Sequence, residues 1–197
     1  MPTSSAAPPA GASSDDARPV LRAPHRSRDP RLDDPADHAA AVAYALTHGV
    51  CATGPGVPAL HGADPGVTED LDAVLDLLAR ADPASGGGER AAARVRRFAE
   101  LPDGTFAWTR EPDSGDYRLG RVTGPWRYVA SPEAGRHDLP HQRPCTWLPE
   151  PVPDAEVPEA VHHTFARGGR NLQRIRPGST PGAVEPETAD LWRRLAG

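Results

Sequence analysis

The sequence predicts an α+β protein, a small bent antiparallel sheet or barrel with helices flanking it. Three observations carry that expectation. From residue 37 to 101 apolar residues recur at helical spacing, and from 106 to 148 they alternate with polar ones. Gly and Pro clusters mark the points where one pattern gives way to the other.

Asp37 to Thr47 reads as a first helix, with Asp37 as its cap and Ala39, Val42, Ala43 and Leu46 along one face. Gly49 ends it, and Val50-Cys51-Ala52 is a short strand entering the Gly54-Pro55-Gly56 turn. Thr68 is read as the cap of a second helix carrying Leu71, Val74, Leu75 and Leu78. After a break at Asp82 to Gly88, a third helix runs from Glu89 through Ala92, Val95, Phe98 and Ala99 to Leu101-Pro102. Phe106 to Arg110 and Tyr117 to Val122, separated by a turn, form a hairpin. Gly124-Pro125 leads into Trp126 to Val129, and Arg143 to Leu148 is a further strand. Val157 to Phe165 is a short helix with Pro158 in its first turn, and Asn171 to Ile175 a closing strand.

Residues 1–35 mix Ser, Ala, Pro, Asp and Arg with few large apolar side chains. Such a segment buries too little surface to offset its chain entropy, so a disordered tail is expected. The folded domain then spans 36–177, helical over 36–101 and barrel-like over 102–177. Residues 178–197 are a second tail with a short helix around Leu191, Trp192 and Leu195. No apolar run suits a signal peptide or a membrane span, so a cytoplasmic protein is expected. Cys51 and Cys145, far apart and without a second pair, read as buried thiols.

No phosphate loop, nucleophile elbow or metal-ligand spacing is present, and neither catalysis nor a cofactor is expected. His162 and His163 are adjacent and point apart on a helix, whereas His137, Asp138 and His141 share a Pro-containing loop, a poor scaffold for a metal. All 22 basic residues are Arg, in a chain of net charge -5. Only ten residues are aromatic, yet Trp108, Tyr117, Trp126, Tyr128 and Trp147 all fall in the sheet region. Arg110, Arg118, Arg121, Arg127 and Arg143 are interleaved with them, and Arg167, Arg170, Arg174 and Arg176 follow without an intervening acid. Aromatic faces and guanidinium groups are what an unstacked base and its phosphates require. The plainer reading of the same pattern is an aromatic core with a solvated Arg face.

Arg97-Phe98, Trp108-Thr109-Arg110, Tyr117 to Tyr128, Arg143 to Trp147, Val157-Pro158 and Phe165 to Ile175 form a series. In that order it resembles small bacterial modules attached to modification-dependent restriction and other anti-phage systems. The turn Gly120-Arg121-Val122-Thr123-Gly124-Pro125-Trp126 is similar to one in PUA-like domains, the group of the EVE, YTH and SRA base readers. One departure is that Asp103-Gly104 stands where such modules often have Gly-Asp. The resemblance implies a base pocket built from Trp108, Trp126, Tyr128 and Trp147.

The expected function is therefore a non-catalytic protein that binds double-stranded DNA and recognises a modified base such as methylated cytosine, with a nuclease as possible partner. Arg121, Arg167, Arg170 and Arg174 would hold phosphates, and Arg110, Tyr117 and Arg143 complete the interface. One rival is an SH3-like module taking a peptide in an aromatic groove. The other is an enzyme with a loop-borne His/Asp site.

Overall fold

The computed structural model describes residues 18–60, 66–82, 84, 86–176 and 184–197. Among the described residues eight strands occur: β1 (Val20–Arg22), β2 (Val50–Thr53), β3 (Val67–Thr68), β4 (Phe106–Arg110), β5 (Tyr117–Val122), β6 (Arg127–Val129), β7 (His141–Trp147) and β8 (Gln173–Arg174). Six α-helices accompany them: α1 (Pro35–Thr47), α2 (Leu71–Arg80), α3 (Gly87–Ala99), α4 (Pro132–Arg136), α5 (Glu159–Ala166) and α6 (Val184–Leu195). The protein is a mixed α+β fold around an open, mostly antiparallel sheet in the order β3-β6-β7-β5-β4-β1-β8, with β2 also paired to β7.

The sheet bends where sequence punctuation puts the bend. Val122 pairs with Cys145 and Arg127 with Gln142, so β5 and β6 follow each other along β7 with two extra residues between them. Gly124 and Pro125 sit in that bulge, which turns the ribbon. β2 pairs with the same half of β7 as β6 does, and so takes its other edge. The expected bent sheet is present, but among the described residues no pairing closes it into a barrel.

Alternation along the strands divides the core between two faces. On one face Val20, Phe106, Trp108, Tyr117 and Leu119 pack with Val161 of α5 and with Val184, Ala189 and Leu191 of α6. On the other, Ala107, Val122, Trp126, Tyr128 and Cys145 meet Val74, Leu75 and Leu78 of α2 and Val95 and Phe98 of α3. A third cluster joins Ala41, Tyr44 and Ala45 of α1 to Val50, Ala52 and Leu139.

Two domain limits expected from the sequence are corrected. Within 1–35, β1 is an internal strand, parallel to β4 and antiparallel to β8, and Val20 is fully buried. The free edge of β4 needs hydrogen-bond partners, and Val20-Leu21 is the apolar pair able to supply them while covering the core. Residues 1–17 lie outside the described ones. At the other end, α6 is a docked helix rather than part of a tail, with the Trp192 ring 6.0 Å from that of Phe106. The loop expected over 177–183 lies outside the described residues.

Helix starts shift for local reasons. The Asp34 side chain, not that of Asp37, caps α1 by accepting from Ala36 N at 2.8 Å, and Pro35 occupies the first turn. Asp70 rather than Thr68 caps α2, accepting from Ala73 N at 3.0 Å. Among the described residues no helix is long and apolar enough to cross a membrane.

Candidate functional site

The four aromatic residues expected to build a base pocket, Trp108, Trp126, Tyr128 and Trp147, do not share one. Trp108 and Tyr117 lie in the α5/α6-side core, whereas Trp126, Tyr128 and Trp147 lie on the opposite face of the sheet. Trp108 pairs with Leu119, so the even positions of β4 and the odd positions of β5 point to one face, while Trp126 and Tyr128 continue the even positions of β5, such as Val122, on the other. Trp126 and Tyr128 do share a face, as their spacing requires, but beneath helices rather than in the open. Trp108 is fully buried and Tyr128 is 1% exposed. The Tyr128 hydroxyl accepts from Val57 N at 2.9 Å, and Trp147 Nε1 donates to Val50 O at 3.2 Å. Trp108, Tyr117, Trp126 and Tyr128 are buried in the core, and Trp147 is half-buried against it.

Four of the expected arginines are likewise placed elsewhere. Arg143 is buried and braces the chain, donating to Gly124 O at 2.8 Å, to Leu101 O and to Asp103. The Arg110 guanidinium lies over the Tyr117 ring at 5.3 Å and Arg121 over Phe106 at 5.8 Å. Arg167 donates to Thr164 Oγ1 at 3.2 Å. Arg170 and Arg174 alone among the expected phosphate contacts reach a common cavity.

That cavity has a volume of about 340 Å³ and is lined by seven arginines: Arg26, Arg28, Arg94, Arg97, Arg170, Arg174 and Arg176. Asp138 is the one acid among the described lining residues. Its apolar wall is Leu21, Phe98, Leu101 and Leu172, and Thr53, Gly54 and Pro55 close one side. In a chain of net charge -5 such a concentration of positive charge is a local construction.

Each wall has a separate source. The segment after β1 carries Arg26 and Arg28, anchored by the Ala23 N to Trp108 O bond (2.8 Å) and by Arg28 Nε donating to Asn171 Oδ1 at 2.9 Å. Helix α3 supplies Arg94 and Arg97, while its Ala91, Val95 and Phe98 face the core. β8, in register with β1 through Leu21 and Arg174, brings the third wall. Asp138 is pinned by Ser27 Oγ at 2.6 Å and Gly56 N at 2.8 Å. It crowds Gly54 so closely that a Cβ there would meet Asp138 Oδ2 at 2.4 Å.

The charges on the walls are unequally balanced. Asp33 Oδ1 accepts from both Arg26 (2.9 Å) and Arg170 (2.6 Å), and Glu185 takes Arg174 at 3.2 Å. Arg94 and Arg97 make no ion pair or hydrogen bond to any described residue. Partial burial, and then the like charges of Arg28, Arg97 and Arg90, pull the Arg94 guanidinium below its ordinary pKa. Like charges held together without partners destabilise a fold, and an oxyanion placed among them relieves that cost.

Nucleophile and metal chemistry find less support in the geometry. Burial pushes the Cys51 thiol up to about 12 and raises Cys145 as well. Burial also lowers His25 to about 3 and His141 to about 4. The loop residues considered as a metal site diverge: the His137 ring lies against Tyr44 at 5.2 Å, and His141 Nε2 faces Pro55 O at 2.9 Å. Among the described residues no group of three His, Cys, Asp or Glu side chains is placed to hold a metal ion.

Sequence reasoning missed Arg26, Arg28, Arg94 and Arg97. The first two fell in the supposed tail. The helix pair had a legible signal, because Arg90, Arg94 and Arg97 recur at i, i+4 and i+7 on one side of α3. Fold and cavity together define a mixed α+β protein with an arginine-lined cleft. No family model, curated protein or solved structure matches the chain.

Proposed function

We propose that this chain binds nucleic acid, with the arginines of the cleft contacting phosphates and the apolar wall receiving one unstacked base. The observation that carries the reading is the convergence of seven arginines on one cavity, two of them, Arg94 and Arg97, without a hydrogen-bond or ion-pair partner among the described residues. Guanidinium groups fork onto phosphate oxygens, and several of them around a concave site suit a polyanion. A cavity of about 340 Å³ falls in the range of small-ligand sites. A methyl group on the bound base would lie against Leu21, Phe98 or Leu172, the kind of contact by which a modified base is told from a plain one. The likeness of Gly120 to Trp126 to a turn of PUA-like base readers points the same way, with the base moved from the aromatic core to the cleft.

The test is a titration of labelled oligonucleotides, methylated and plain, against a polyglutamate competitor of equal charge. Nucleic acid should bind, be displaced poorly by polyglutamate, and lose affinity in Arg97→Gln by about 1 kcal/mol, the scale of one charged contact. No binding, or binding indifferent to Arg97, would contradict the proposal.

A further inference from the structure

A second cavity, of about 240 Å³, lies beside the arginine cleft, and Arg26 lines both. Its flat apolar surfaces are Pro24, Pro112 and the Phe165 ring, and its positive groups are Arg22, Arg26 and Arg110. Arg22 is fixed in place: it is buried, donates to the carbonyls of Gly168 and Gly169, and lies over the Phe165 ring at 5.5 Å. Glu111, the acid on this wall, is taken by Arg118 at 2.5 Å. His38 is held below its ordinary pKa by partial burial and adds no charge at neutral pH.

Arg26, the residue that the two cavities share, already holds an anionic oxygen. Asp33 Oδ1 accepts from Arg26 and from Arg170, bridging two guanidinium groups that both line the first cavity. The Arg170 and Arg26 contacts hold the Asp33 carboxyl below its ordinary pKa, so it is ionised at neutral pH. Two guanidinium groups sharing one oxygen match the way phosphate is bound. Asp33 is half exposed and follows a short 3-10 turn at Pro30–Leu32.

We propose that the two cavities form one track for a single strand of nucleic acid, one nucleotide in each, with the linking phosphate taking the place of Asp33 between Arg26 and Arg170. The inference rests on the nucleic-acid reading above and adds to it the strandedness and the role of Asp33. Two concave sites with apolar walls suit bases that are already unstacked, and a duplex would have to give up base stacking and pairing to reach them. Asp33 is then an internal competitor that occupies the phosphate position in the free protein.

Affinities for a 5′-mononucleotide, the corresponding dinucleotide, and a short oligonucleotide as single strand and as duplex are measured on the wild type, Arg110→Gln, Asp33→Asn and Arg97→Gln. The dinucleotide should bind roughly tenfold or more tighter than the mononucleotide, and the single strand tighter than the duplex. Arg110→Gln should weaken the dinucleotide severalfold more than the mononucleotide. Asp33→Asn should tighten the dinucleotide by about two- to fivefold, the scale of one exposed ion pair. Tighter binding of duplex than of single strand overturns the track. So do an Arg110→Gln effect equal on both nucleotides and weaker binding by Asp33→Asn in a folded protein. In those cases the cleft reading survives as long as Arg97→Gln still weakens binding. Absence of any binding by the wild type overturns both.

Discussion

Replacing Arg94 by Met should stabilise the protein while weakening its hold on nucleic acid. Arg94 stands four residues after Arg90 and three before Arg97 on α3, with Arg28 also close enough to lower its pKa. Like charges at these spacings destabilise a helix by about 0.2–0.5 kcal/mol per pair. Two such pairs, with Arg28 added across the cleft, put the expected gain at about 0.5–1 kcal/mol. Met keeps the unbranched stem and has a helix propensity close to that of Arg, so packing and backbone preference change little. Urea unfolding at low ionic strength measures the gain as a raised midpoint with unchanged slope, and the gain should shrink in high salt as the repulsion is screened. The same variant should bind a single-stranded oligonucleotide with a salt slope flatter by about 0.7. Since most substitutions destabilise, the sign is diagnostic. A loss of stability together with unchanged oligonucleotide binding would refute the reasoning, because Arg94 would then be a structural residue.

Further predictions concern the core beneath the cleft. His25 and His141 stay neutral in the fold down to about pH 3 and pH 4, while in the unfolded chain imidazole titrates near 6.5. Their contribution is thus complete above pH 6.5 and is lost as pH falls, by about 1.4 kcal/mol per unit for each histidine down to about pH 4. Urea midpoints at pH 7, 6 and 5 should drop accordingly; half the slope would show that one ring reaches water, and a flat profile that both do. Tyr128→Phe removes the acceptor of the Val57 amide and should cost about 1–3 kcal/mol with no change in oligonucleotide affinity. Reduced affinity at full stability would return Tyr128 to the binding site. Val20→Asp places a carboxylate in a fully buried strand and should cost about 3 kcal/mol or more. A cost under about 0.5 kcal/mol, as for a free surface position, would mean that β1 is not docked.

What the sequence made legible follows from the reach of each signal. The period-two runs at Phe106 to Arg110 and Tyr117 to Val122 and the Gly124-Pro125 break are local, and they appear as β4, β5 and the bulge before β6. Helical spacing gave α1, α2, α3 and α5 to within a few residues at each end. β1 was hidden because three apolar-flanked residues inside a Pro-, Ser- and Arg-rich segment carry no period; only the free edge of β4, a tertiary fact, calls for them. The aromatic cluster was visible but its faces were not. Counting residues puts Trp126 and Tyr128 together, yet whether Trp108 joins them depends on the register of the β4–β5 hairpin, which sets Trp108 opposite Leu119. The cleft draws arginines from positions 26 to 176, so no window of sequence contains it. Its local traces were the run of Arg170, Arg174 and Arg176, which is legible, and the stripe of Arg90, Arg94 and Arg97, masked by reading α3 only for its apolar face.

The central claim is that the arginine cleft is where nucleic acid binds, and the salt dependence of oligonucleotide affinity tests it most directly. The comparison is between the wild type and a variant carrying Arg28→Gln, Arg94→Gln and Arg97→Gln, each titrated with one single-stranded oligonucleotide across a range of salt concentrations. With about 0.7 unit of slope per phosphate contact on a single strand, the variant should bind more weakly at low salt and show a slope flatter by about two units. Equal slopes and equal affinities for the two proteins would contradict the account, since phosphate contacts would then lie on another surface or not exist.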